Sequence, residues 1–321
     1  MIEDSRPTLE SIRAAASRLE GVIHRTPLAA SQSLSEMAGA ELRFKAENLQ
    51  VTGSFKIRGA FNKVAQLAQE GVKGVVTASS GNHGQAVAWA ARHFNLLAHI
   101  VVPTTAPAVK VKSAEAYGAS VEYCGTTSRD RLERAQQVAE QNGYVFVPPY
   151  DDPLIMSGQG TAGLEILQDW PAVETVVVPI GGGGLISGIA TAIKESRPGI
   201  RVIGVEPEGA AKAFTSRQAG RRVELDHTAS MADGLITLSL GHLTHPVIQE
   251  YVDELVTVSD DAIARAFWLL VTRLKLVVEP SGAAAAAYAL SGKIPAGQRT
   301  AVVISGGNVD PGVIGQLTAY A

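Results

Sequence analysis

A lysine stands between Phe55 and Ile57 in the stretch TGSFKIRGA, Thr52 to Ala60, and its placement asks for chemistry. Its neighbours are types that a folded chain buries, and a lysine is almost never fully buried without a partner, because desolvating an ammonium is costly. A buried amine whose pKa has been pulled down is, however, a good nucleophile, able to form a Schiff base with an aldehyde. The plain alternative for Lys56 is a side chain that runs along the surface with its ammonium in water. That reading leaves the flanking glycines and serine without a purpose.

Further clusters carry the same kind of signal. SSGNHGQ, Ser79 to Gln85, follows the strand-like run GVVTA and precedes a helical pattern. One serine or asparagine there is an ordinary cap. Ser, Ser, Gly, Asn, His and Gly together also offer hydroxyls and free backbone N–H groups to a carboxylate at the positive end of a helix. PIGGGGLISG, Pro179 to Gly188, has the same strand-to-helix setting. Four consecutive glycines are conformationally costly, and they let backbone N–H groups close on an anion such as a phosphate. No register of Gly181, Gly182, Gly183, Gly184 and Gly188 satisfies GxGxxG, and no lysine follows as GxxxxGK[ST] requires. VVISGGNVD ends a buried-strand run at Ser305, and VVEPSG puts Glu279 before Pro280. Alone, these two read equally as a strand-end turn and a helix entry. A phosphate cradle together with a Schiff-base lysine specifies pyridoxal 5′-phosphate.

The elements that must position these residues are legible in the apolar spacing. KGVVTAS, LLAHIVVP, ASVEYCG, YVFVPP, ETVVVPIGGGG, GIRVIGVEP and RTAVVISGGN are short Val/Ile-rich runs alternating with helical patterns such as NHGQAVAWAARHF and LISGIATAIKES. Continuous apolar strands separated by helices signal parallel sheets covered on both faces. The fold class is therefore α/β, with two open twisted, mostly parallel sheets flanked by helices. Residues 74–147 make strand–helix units of their own and are expected as a small domain, inserted in a large cofactor-binding domain of residues 1–73 and 148–321. Ligands bind outside the carboxyl ends of such strands, which puts the active site in the cleft between the domains.

Bulk properties narrow the partners. The chain has 321 residues, 46% hydrophobic and 18% charged, enough for one large or two medium domains with a sizeable core. A net charge of −3 with no basic run, and only 5% aromatic residues, disfavours nucleic acid and anionic membranes as partners. The single cysteine, Cys124, allows no intramolecular disulfide, and no Cys/His metal spacing occurs. Neither a secretory apolar segment nor a membrane-length run is present, so a cytoplasmic protein is expected.

SFKIRGA, SSGNHGQ, GQGT, GGGGLISG, ADG, EPSG and SGGN occur in an order that resembles the fold-type II pyridoxal-phosphate enzymes, whose fold is tryptophan synthase β-like. Within them the chain is similar to the serine/threonine dehydratase and serine racemase branch, from HRTPL (His24 to Leu28) to SGGNVD (Ser305 to Asp310). The resemblance implies that Lys56 holds the cofactor and, once released by substrate, is the base at Cα. It implies that Phe55 packs on the pyridine ring and that Asn82 bonds the ring oxygen. By the same resemblance Gly181, Gly182, Gly183, Gly184 and Leu185 hold the phosphate, Glu279 lines the cofactor, and Ser305 faces the pyridine nitrogen. Ser79, Asn82 and His83 are expected to bind the substrate carboxylate, with Ser80 beside the substrate as well. The implied reaction is dehydration of a β-hydroxy-α-amino acid such as L-threonine or L-serine to a 2-keto acid and ammonia, and a homodimer is implied as well. A non-catalytic pyridoxal-phosphate binder would not need Lys56, Ser305 and the glycine loop intact.

Positions that vary inside the branch point to alternatives. Ser80 stands where the racemases carry serine and many dehydratases alanine, so Lys56 and Ser80 as opposed bases would make a serine racemase. Tyr150 replaces a smaller asparagine, and Arg131 matches an arginine near the cleft. Together they leave open a dehydratase specialised for phenylserine or 3-hydroxyaspartate. The chain ends after the catalytic core, so no isoleucine-binding regulatory domain is expected. Racemase-branch relatives bind a divalent cation through a glutamate, a backbone carbonyl and an aspartate. Glu206 and the Ala210 carbonyl match, but Lys212 replaces the aspartate. A carboxylate is lost and a cation gained, so no metal is expected, and the Lys212 ammonium is expected to reach toward Glu206.

Overall fold

The computed structural model describes residues 6–79, 81–106 and 108–321, with side chains from 111 onward in the last span; Ser80 lies outside the described residues. Ten strands are found among them: β1 (Leu28–Ala30), β2 (Glu41–Ala46), β3 (Gly74–Ala78), β4 (Leu97–Val102), β5 (Ser120–Tyr123), β6 (Val145–Phe146), β7 (Thr175–Pro179), β8 (Arg201–Pro207), β9 (Glu254–Val258) and β10 (Arg299–Ile304). They form a six-stranded sheet in the order β1-β2-β10-β7-β8-β9 and a four-stranded sheet in the order β5-β4-β3-β6. Every pairing is parallel except β1 with β2. All four strands of the smaller sheet come from within residues 74–147.

The central strands explain why the runs are uniformly apolar. Every residue of β7 is buried, because both faces of the larger sheet are covered. Successive side chains of a strand point to opposite faces. Val177, Ile203, Val302 and Ile304 accordingly join one core, and Val176, Val178, Val202 and Val303 join another. The first core includes the helix Pro280–Ala289, whose ten residues are all buried. Its alanines let a helix lie close against the sheet. A third core under the smaller sheet draws Ile57, Phe61 and Val64 from the helix Lys56–Gln69 and packs them with Val87 and Ile100. Among the described residues no helix is long and apolar enough to cross a membrane.

The helix that begins at Lys56 is fixed by close packing and by buried charge. It crosses the helix Pro153–Asp169 so tightly that a Cβ on Gly158 would lie 2.4 Å from the Arg58 carbonyl oxygen. Two residues into the helix, Arg58 is fully buried and donates from Nε and Nη2 to Glu47 at 2.7 and 2.8 Å. It also donates from Nη1 and Nη2 to Glu165 at 2.7 and 2.8 Å. Lys45 of β2 reaches the same Glu165 at 2.5 Å and the Thr26 carbonyl at 2.7 Å. Two cations against two carboxylates leave the cluster neutral, which a dry interior requires. Burial alone would lower the Arg58 pKa, but Glu47 and Glu165 outweigh it and raise it.

Candidate active site

The carboxyl ends of β3, β6, β7, β8 and β10 converge on one region, as open α/β sheets do where they bind ligands. After β10 the chain runs into Ser305, and the Lys56 stretch is laced to it. The Phe55 N–H donates to the Ser305 carbonyl at 3.0 Å, and the Gly307 N–H donates to the Gly53 carbonyl at 2.9 Å. Ser54 bridges Gly306. Lys56 therefore starts its helix from a backbone clamped on the end of the larger sheet.

The Lys56 ammonium donates to the Pro149 carbonyl at 2.7 Å and lies 5.1 Å from the centre of the Phe55 ring. Burial pulls its pKa down to about 8, and the charge of Glu279 opposes that only partly. The next residue, Tyr150, packs on the glycine loop: a Cβ on Gly182 would meet its ring at 2.3 Å. Pro149 and Tyr150 thus bring the amine and the candidate anion cradle within one residue of each other. Tyr150, expected near the substrate's tail, lies against the cradle itself.

The cradle is held from below. Gly183 has φ of +100°, a conformation that excludes most side chains, and a Cβ there would meet Thr244 and Ile248 at 2.8 Å. The Thr244 hydroxyl donates to the Gly182 carbonyl at 2.7 Å. Asp151 in turn accepts from the backbone of His242, Leu243 and Thr244 at 2.8, 2.8 and 3.3 Å, and so fixes the start of the helix Thr244–Tyr251. The helix Gly184–Ser196 opens directly behind the loop, so its first N–H groups lack intrahelical partners and face the cradle's end of the dipole. Leu185 is buried in that first turn.

Polar side chains close the other side. Asn82, at the start of the helix Asn82–His93, donates to Glu279 at 2.7 Å and accepts from Asn308 at 2.7 Å. Asn308 also donates to the Thr52 carbonyl at 2.8 Å. Ser305 is buried, and its hydroxyl donates to the Ser281 carbonyl at 3.4 Å. Ser79 accepts from the Gly81 N–H at 3.4 Å, and its carbonyl packs where a Cβ on Gly84 would be 2.3 Å away. His83 is buried, with Nε2 3.0 Å from the Val147 carbonyl, which can only accept. The proton therefore sits on Nε2, and among the described residues Nδ1 is a lone pair without a partner. Burial first and the Lys56 charge second hold its pKa down at about 3. In that state the ring has no N–H left for a carboxylate, so any help from His83 to an anion comes from its backbone. Arg131 donates to Ser128 at 3.0 Å in the first turn of the helix Ser128–Asn142, where burial lowers its pKa against the charge of Asp130.

Beneath the cradle Lys212 is fully buried, and its ammonium lies 3.0 Å from the Glu206 carboxylate. Glu206 also accepts from the backbone N–H groups of Ala213 and Phe214, each at 2.9 Å. Sequence reasoning missed Pro149, Asp151, Thr244 and Asn308 as parts of the site. Asn308 stood inside SGGN and Pro149 at the end of the run YVFVPP, but neither was singled out there.

The comparisons agree with one another. A family model described as "Pyridoxal-phosphate dependent enzyme" matches residues 19–306. The chain is similar to an L-threonine ammonia-lyase of Thermotoga maritima, 46% identical over 311 residues, 97% of this chain and 78% of that protein. It is similar to a serine racemase of Oryza sativa, 42% identical over 313 residues, 95% of this chain and 92% of that one. Among solved structures, maize serine racemase superposes with a TM-score of 0.93 at 42% identity, covering 97% of this chain and 96% of the other.

Proposed function

We propose a reaction on one premise: the chain belongs to the pyridoxal-phosphate dependent enzyme family. The residues fit that cofactor. The glycine loop leaves a backbone cradle, while Thr52, Ser54 and His83 each carry a buried polar atom with no partner among the described residues. Gly181, Gly182, Gly183, Gly184 and Leu185 would hold the phosphate, Lys56 the aldehyde carbon, Phe55 the ring face and Asn82 the ring oxygen. Pyridoxal 5′-phosphate, when bound, supplies an electron sink for the pair left when Cα loses its proton.

The reading is a dehydratase, an ammonia-lyase, of β-hydroxy-α-amino acids. What carries it is the Lys56 amine, brought beside the cradle through Pro149 and Tyr150. A pKa pulled down to about 8 leaves part of the amine unprotonated near neutral pH, able to take a proton from Cα. Ser79, Asn82 and the first backbone N–H groups of the helix Asn82–His93 orient the substrate carboxylate at the helix's positive end. Ser305 has one proton to share between the Ser281 carbonyl and a ring nitrogen. A neutral hydroxyl there does not force that nitrogen to be protonated, which favours prompt loss of the β-hydroxyl over a long-lived carbanion.

The names of two relatives support a second reading, serine racemase, in which Ser80 returns a proton to the opposite face of Cα. One experiment addresses both. Keto-acid release is measured with L-threonine, L-serine, phenylserine and 3-hydroxyaspartate, and D-serine formation from L-serine is followed in parallel. Keto-acid release from at least one substrate, lost in Lys56→Ala, is expected. No release from any of them, or release that persists in Lys56→Ala, overturns the lyase reading. Racemisation that Ser80→Ala leaves unchanged overturns the second.

A further inference from the structure

The surroundings of Lys212 are those of a coordinated cation. Its Nζ lies 2.9 Å from the Leu235 carbonyl oxygen, 3.0 Å from Glu206 Oε1, and 3.1 Å from the carbonyl oxygens of Ile180 and Ala210. Three carbonyls and one carboxylate, all oxygen and all fixed, are the donor set used for hard cations. Carbonyl oxygens only accept, and a neutral amine has two protons to give, so four oxygens around one nitrogen call for the three-proton ammonium. The oxygens come from separate parts of the chain. Ile180 immediately precedes the glycine loop, Glu206 is on β8, Ala210 ends the turn Glu208–Ala210, and Leu235 closes the turn Asp233–Leu235. The Gly234 carbonyl, in that last turn, is 2.8 Å from where a Cβ on Gly181 would lie. The ammonium therefore knots four segments directly under the cradle.

These residues do not fit a divalent ion. The Lys212 Nζ itself fills the centre of the oxygen cluster. Among the described residues there is no group of three or more His, Cys, Asp or Glu able to hold a metal. The 2.9–3.1 Å spacing also exceeds the roughly 2.3–2.6 Å of Ca²⁺ and 2.0–2.1 Å of Mg²⁺. We infer that Lys212 is a covalently attached structural cation, which holds the floor of the glycine loop in place of a bound metal ion. The inference stands whichever amino acid the site acts on.

Thermal unfolding of the full chain tests it, in tetramethylammonium chloride to hold ionic strength constant. Wild-type Tm should be the same in EDTA and in millimolar Mg²⁺, Ca²⁺ or K⁺. Lys212→Ala empties the cluster and should lower Tm by about 10 °C, as loss of one partner of a buried pair does. K⁺ or ammonium should restore at least half of that loss, saturably. Lys212→Met, which fills the space without charge, should be destabilised and respond to no ion. A wild-type Tm that rises saturably with Mg²⁺ or Ca²⁺ and falls back in EDTA overturns the inference. So does a Lys212→Met protein as stable as wild type, or a folded Lys212→Ala protein that no cation restores. If Lys212→Ala cannot be purified, the wild-type ion series and Lys212→Met decide between them.

Discussion

His83 shows what a single residue can contribute once its surroundings are known. Its sequence neighbours suggested a carboxylate ligand, but the ring is neutral, with its one proton committed to the Val147 carbonyl. The folded pKa of about 3 lies below the ordinary 6.5, so between those values the unfolded chain binds a proton that the folded chain refuses. Stability conferred by a neutral His83 is thus fully present above pH 6.5 and is lost as pH falls toward 3. The slope reaches about 1.4 kcal/mol per pH unit. Urea unfolding followed between pH 7 and 4.5 should show that decline, and His83→Gln, which cannot take up a proton, should flatten it. An unchanged slope in the variant would remove His83 as its source. The lysine beside it was legible because apolar neighbours on both sides make an amine conspicuous. Pro149 and Asp151 were not legible. One acts through a backbone carbonyl, which has no residue type, and the other caps a helix about ninety residues away.

At the scale of elements, the helix Lys56–Gln69 depends on charges that no periodicity reveals. Its apolar stripe was readable, whereas Lys45, Glu47, Arg58 and Glu165 look in sequence like ordinary surface residues spread over 121 positions, yet they meet in the interior. The same tertiary pairing explains why the strand spacing, which pointed to strands within residues 74–147, left the helix from Lys56 with the larger domain, although its Ile57, Phe61 and Val64 pack in the smaller sheet's core. Arg58→Met leaves Glu47 buried without its bidentate partner and Glu165 with Lys45 alone. Removing one member of such a cluster costs about 3–5 kcal/mol. Denaturant unfolding should show a loss of that size without change in m, and the variant should hold pyridoxal phosphate less well, because the Lys56 backbone is set by the same anchor. A loss below about 1 kcal/mol would mean that Lys45 and water replace the guanidinium.

The whole molecule sets two sheets against each other, and the ordered motifs identified the family before any strand was paired. What the order of motifs left open was how the two sides are joined. Asn82, at the first helix behind β3, is tied to Glu279 and Asn308 of the larger unit, so the two sides already touch through side chains. A cofactor held by the glycine loop, Ser305 and Lys56 on one side and by Asn82 on the other would span both, and part of its hold would not need the covalent link. Lys56→Ala isolates that part. A ligand at one hundred times its dissociation constant stabilises by about 2.7 kcal/mol, or roughly 5 °C in Tm for a chain of this size. Apo Lys56→Ala should therefore gain about that much with pyridoxal 5′-phosphate and little with pyridoxal, which lacks the phosphate. Equal gains with the two compounds would show that the four glycines do not carry the anion, and the cradle would have to be sought elsewhere in the cleft.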